Sequence, residues 1–211
     1  MAVKVWLRET DRLEAFSDGV IAIAATLLVV DLRPPRLATL NDFTLLDALG
    51  RLWPNGLAYA LSFIFIGIAW AAHHDMFRYI QHTNHMLLMI NLLFLMGIAL
   101  QPFSTALLAE HIGEPTARTA ALVYYSILLA TSLTYNLVWW YAVSSGLVAE
   151  DIHPRLLRAL NLEHAVAPIL HAMALVVSLW SVALSFIPLG LIYLFFTLPR
   201  VSERWDSEKY E

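Results

Sequence analysis

Arg12-Leu-Glu-Ala-Phe16-Ser17-Asp18-Gly-Val-Ile-Ala-Ile23-Ala-Ala-Thr26-Leu27-Leu-Val-Val30-Asp31 decides the fold, because it places an arginine, a serine and an aspartate at the head of an apolar helix. Between Asp18 and Asp31 the helix is free of charge for only about 18 Å, at roughly 1.5 Å per residue, against a hydrocarbon core of about 30 Å. A membrane span here therefore carries Asp18 or its neighbours to membrane depth. An ionisable group at that depth is a functional-site candidate.

The composition supports a membrane setting. Of 211 residues, 59% are hydrophobic and 14% charged, where a soluble domain carries about a quarter charged residues, and the mean hydropathy is +0.64. No formal charge lies between Arg51 and Asp75, Arg78 and Glu110, Arg118 and Glu150, or Glu163 and Arg200. Each window can cross a bilayer, which takes about 20 residues. The last would be about 54 Å long as one straight helix, so it is expected to turn between Trp180 and Pro188 and to count as two short spans. The prediction is an all-α integral membrane protein with six transmembrane helices: Arg12 to Leu32, Trp53 to His74, Asn84 to Leu108, Thr119 to Ser145, Leu160 to Trp180 and Val182 to Leu198.

With six spans both termini share a side. Lys4, Arg8, Arg12, Arg78, Arg155, Arg158, Arg200, Arg204 and Lys209 fall on it, leaving Arg33, Arg36, Arg51 and Arg118 opposite. By the positive-inside rule both termini are expected in the cytoplasm and the protein in the cell (inner) membrane, with Trp53, Tyr79 and Trp205 as interfacial anchors. Arg8, Glu9, Asp11 and Arg12 crowd the amino terminus and no small-residue cleavage site follows a short apolar core, so the first helix is expected to be retained. Residues 1–211 read as a single transmembrane domain, with 200–211 a short solvated tail. After Pro34 and Pro35, Asn41 or Asp42 can cap a short helix whose Phe43, Leu46 and Leu49 form an apolar stripe, which suits a helix lying in the interface. No internal repeat is visible.

Several function classes lose support. The net charge of -4 is spread along the chain without a basic block, which leaves nucleic-acid binding without a footprint. With no cysteine, disulfides, thiolate metal sites and thiol nucleophiles are out. His73, His74, Asp75, His82 and His85 cluster in sequence, but they lack the several histidine boxes of a membrane metal enzyme, so no resident metal is expected. No catalytic motif is present, so neither an enzyme nor a small-molecule substrate is expected. His164 and His171 share one face of the fifth span and suit an interhelical polar contact or a proton relay.

On a helical wheel, Ile23, Thr26, Leu27 and Val30 fall within about 60° of Ile23 and form one stripe. Ser17 and Asp18 point off it, toward neighbouring helices. Gly19, Ala22, Ala24 and Ala25 allow those neighbours to come close. From periodicity alone the stripe can face lipid, protein or a pore.

Arg12-x-x-x-Phe16-Ser17-Asp18, Trp70-x-x-His73-His74-x-x-Phe77, and Asn91 followed by Pro102-Phe103 together resemble the transmembrane protein 175 family of potassium channels, found in endolysosomal membranes and in bacteria. The resemblance covers the first half of the chain; the second half matches only as apolar spans. It implies a homotetramer of the bacterial type, each subunit contributing its first helix to a central pore, with no Thr-Val-Gly-Tyr-Gly filter loop and no cofactor. It places the apolar constriction at Ile23, continues the wall with Leu27 and Val30, and gives Thr26 a hydroxyl layer for potassium. It also implies a buried network of Ser17 and Asp18 with His73 or His74 and Asn91 that holds the pore helix in register. Arg12 would join this network or sit at the cytoplasmic mouth, and Phe16 belongs to the same motif. The expected function is a leak-type channel of modest selectivity for potassium over sodium. The alternative is a small proton-linked transporter or a proton-conducting protein, in which Asp18 and the histidines carry protons.

Overall fold

The computed structural model describes residues 10–35 and 42–197. Lys4, Arg8, Arg36, Asn41, Leu198 and the 200–211 tail with Arg204, Trp205 and Lys209 lie outside the described residues. Helix α1 (Asp11–Leu27) tightens into a 3-10 turn (Leu28–Asp31) and is followed by α2 (Asp42–Arg51), α3 (Trp53–Tyr79), α4 (His85–Ala99), α5 (Gln101–His111), α6 (Ala117–Ser144), α7 (Pro154–Ser178) and α8 (Val182–Thr197). Among the described residues the regular structure is all helical, apart from one antiparallel bridge between Ile80 and Val148.

Among the described residues five spans are long and apolar enough to cross a membrane: Asp11–Val30, Trp53–Tyr79, His85–His111, Ala117–Ser144 and Pro154–Ser178. The sixth apolar helix, Val182–Phe196, is shorter. The turn that divides the last long window falls at residues 179–181.

Local chemistry sets the helix starts. Asn84 accepts a hydrogen bond from the Leu87 N–H at 2.9 Å, satisfying one of the orphan donors at the head of α4. Pro54 and Pro154 stand in the first positions of α3 and α7, where a fixed φ suits the helix and the missing N–H costs nothing. Gly113 and Gly146, at φ 90° and 67°, turn the chain out of α5 and α6, a conformation other residues rarely take.

The third span differs from the single helix expected over Asn84 to Leu108. It breaks at Leu100 into α4 and α5. Pro102 has no N–H to offer and its ring crowds the carbonyl four residues back, which breaks a helix at this point. Two other spans run further than their apolar cores: α3 continues past His74 to Tyr79, and α7 begins at Pro154 instead of Leu160. Helical hydrogen bonding does not stop where the hydrocarbon does. In α2, Leu46 and Leu49 of the expected stripe are exposed, as is Leu45, and none of the described residues covers them.

The packing order runs from α1 outward. Helix α1 lies on α3 and α4, α4 on α6, α6 on α7, and α7 on α8, while α5 fills the space between α3 and α6. The α4–α6 crossing depends on Gly97, where a Cβ would run into the side chain and backbone of Thr131. Phe77, Phe94, Tyr125, Leu128 and Trp139 are fully buried at the centre of the bundle.

Candidate functional site: the two faces of the first helix

Helix α1 has one buried face and one bare face. Leu13, Ser17, Ile21, Ala24 and Leu28 are buried against α3 and α4, at the three- and four-residue spacing of a single helical stripe. On the other side Arg12, Phe16, Gly19, Ala22, Ile23, Thr26, Leu27 and Val30 are exposed. Ile23 is 61%, Leu27 48% and Val30 62% exposed, so none of the described residues covers the stripe picked out by periodicity. Thr26 adds an oriented oxygen to it. Its hydroxyl donates to the Ile23 carbonyl at 2.9 Å, which uses the proton and leaves acceptor lone pairs on the exposed face.

The buried face carries a directional chain of hydrogen bonds across three helices. The His73 Nε2–H of α3 donates to Asn91 Oδ1 of α4 at 3.0 Å. Asn91 Nδ2 donates to Ser17 Oγ of α1 at 2.9 Å, and Ser17 donates to the Leu13 carbonyl at 2.8 Å. Ser17, His73 and Asn91 are buried. The His73 ring is held between Phe77 and Phe94, with centroids 4.5 and 5.5 Å away. Each polar group therefore has a partner in a setting without water, where an unpaired one costs several kcal/mol.

The expected network is corrected in three respects. Asp18 is exposed and bonds no histidine; it accepts a hydrogen bond from Trp70 Nε1 at 2.9 Å. His74 is exposed and stacks on Trp70, with centroids 6.3 Å apart. Arg12 and Phe16 lie on the bare side of α1, away from Ser17. The aromatic-rich motif thus splits in two: Ser17, His73 and Asn91 work inside the subunit, whereas Asp18, Trp70 and His74 form a polar and aromatic patch on its surface. Sequence reading passed over Trp70 as a partner for Asp18, although an indole N–H in a membrane span needs an acceptor.

The remaining histidines do not converge. His164 on α7 lies 3.3 Å from the Tyr135 hydroxyl and donates through Nδ1 to the Leu160 carbonyl at 2.7 Å. Its ring stacks on Tyr135 and Trp139. His171 is buried about two turns along the same face, edge-on to Phe65, with no hydrogen-bond partner for either ring nitrogen among the described residues. Among the described residues no group of three or more His, Asp or Glu side chains could hold a metal ion.

Comparison with known proteins bears on this arrangement. The family described as the endosomal/lysosomal potassium channel TMEM175 matches residues 12–102, which hold α1 from its second residue on, the Trp70 and His73 segment and Asn91. A protein of Chamaesiphon minutus named a potassium channel is 39% identical over 178 residues, covering 84% of this chain and 88% of that protein. The crystal structure titled a lysosomal potassium-selective channel TMEM175 homolog from Chamaesiphon minutus superposes with a TM-score of 0.80 at 36% identity, over 90% of this chain and 96% of that one. A Gallus gallus protein named the endosomal/lysosomal proton channel TMEM175 is 33% identical over 151 residues, covering 68% of this chain but 30% of that longer protein.

Proposed function

Because the chain belongs to the TMEM175 family of channels, we propose that it is a potassium channel of leak type, built as a homotetramer around a pore lined by α1. It is a membrane-spanning cation channel, and the family is not one of enzymes. The observation that carries the finer reading is the bare face of α1: Ile23, Thr26, Leu27 and Val30 stay exposed on a helix whose other face is fully used. Around a fourfold axis that face becomes a wall.

Ile23 forms the narrowest ring, an apolar constriction that gates by shedding water. Thr26, one turn on, supplies four hydroxyl oxygens with their lone pairs free, enough to replace part of an ion's hydration shell. One oxygen per subunit is a sparse filter, so selectivity for potassium over sodium is modest. Leu27 and Val30 continue the wall, and Arg12 lies at the cytoplasmic mouth. Both termini face the cytoplasm across the cell membrane. The test is potassium and sodium flux into proteoliposomes, wild type beside Ile23→Ala. The variant should conduct severalfold faster with potassium still favoured; equal or lower flux from folded protein removes Ile23 from the constriction.

Proton conduction through the same pore is the second reading, favoured by the name of the vertebrate relative. Acidification of vesicles under a pH gradient, with and without an opposing potassium gradient, separates a pore from coupled exchange, since exchange requires both ions and a pore does not.

A further inference from the structure

Away from α1, a slot of about 590 Å³ opens between α3, α5, α6 and α8. None of its lining residues belongs to the pore helix. Trp53, Ile112 and Val182 stand at its mouth, at the end of the bundle where α1 finishes, and Ser62, Thr105 and Tyr193 stand at its floor. From Trp53 to Ser62 the α3 backbone descends about 14 Å, close to half of a hydrocarbon core of about 30 Å.

The few polar groups at the floor are engaged with one another or with backbone. Ser62 and Thr105 hydroxyls bond each other at 2.7 Å, and Tyr193 donates to the Leu61 carbonyl at 2.9 Å. The rest of the lining is overwhelmingly apolar, with Leu57, Leu61, Phe186 and Leu189 along the walls. An apolar cavity of about 150 Å³ already holds a six-carbon ring in place of water, so this slot has room for a dozen or more carbons. Left empty it would forfeit the dispersion contacts of every lining atom.

We infer that the slot holds one acyl chain of a bilayer lipid, running from the interfacial Trp53 to the hydroxyl floor. The occupant follows from the setting: the slot starts at the bundle end marked by Trp53, runs about 14 Å along α3, about half of a hydrocarbon core, and is lined almost wholly by apolar side chains. Helix α8 makes room for it. Gly190 lines the slot, and a Cβ added there meets no atom within 4 Å.

The test is photolabelling of the full-length protein in nanodiscs with phosphatidylcholine carrying a diazirine on its acyl chain, with adducts mapped by mass spectrometry. Leu184 and Leu191, exposed on the outer side of α8, serve as internal controls. Adducts are expected on Leu57, Leu61 and Phe186, falling severalfold in Gly190→Leu or Ala183→Leu while labelling of Leu184 and Leu191 stays unchanged. Absence of adducts in the slot, with the controls labelled, overturns the proposal and points to a second copy of the chain as the cover. Slot adducts that persist undiminished in both filling variants overturn it as well. Labelling is read without reference to ion flux, so its outcome is independent of the channel reading.

Discussion

At the scale of single residues, two hydrogen bonds decide what α1 can do. Thr26 gives its proton to Ile23 and therefore presents an acceptor to the bare face; alanine removes that oxygen and serine keeps it. Thr26→Ala is expected to bring the potassium and sodium permeabilities together while Thr26→Ser preserves the difference, as read from reversal potentials. On the buried face, Asn91 is the middle link, accepting from His73 and donating to Ser17. Its replacement by alanine strands the buried His73 N–H, at a cost of about 1–3 kcal/mol, and leaves Ser17 with only its bond to the Leu13 carbonyl. Asn91→Ala should lower the melting temperature in detergent and cut the yield of assembled protein, without shifting the reversal potential of what remains. The helical wheel shows that Ser17 and Asp18 leave the stripe. It cannot tell a neighbour within the subunit from open surface; the network that joined Asp18 to the histidines came from the resemblance, and the carboxylate lies outside it, on Trp70.

At the scale of elements, the spans were readable because charge is excluded from hydrocarbon: each charge-free window became a helix or a pair of helices. The division of the third span was not, because hydropathy does not register a missing N–H and Pro102 stands in a window as apolar as any other. The same blindness hides Gly97. In the sequence it is one small residue among Leu, Met and Ile; in the bundle it is the point where α4 admits Thr131 of α6. A methyl there pushes against backbone as well as side chain, and overpacking of this kind costs about 1–3 kcal/mol. Gly97→Ala is expected to lower thermal stability measured by fluorescence-detected size exclusion, with Gly190→Ala, where added bulk meets nothing, as the unaffected control. The partnership of Ser17, His73 and Asn91 came from resemblance to a family, since residues 17, 73 and 91 carry no local signal that they meet.

At the scale of the whole molecule, the bare face of α1 and the Asp18, Trp70 and His74 patch are both exposed, and the proposed fourfold assembly would give each a neighbour. A chain without cysteine allows the axis to be located directly. Ile23→Cys introduces one thiol per subunit, and mild oxidation should link subunits into dimers on a denaturing gel if four α1 helices meet there, whereas Leu184→Cys on α8 should stay monomeric; the reverse pattern removes α1 from the axis. The chain from His73 through Asn91 to Ser17 ends on the Leu13 carbonyl, an atom that only accepts. An amide in the middle has no proton to hand on and take back, so this line of hydrogen bonds is a dead end for charge. It ties three helices together while offering no proton path through itself, so the proposed conduction route runs along the bare face of α1 and not through this buried line.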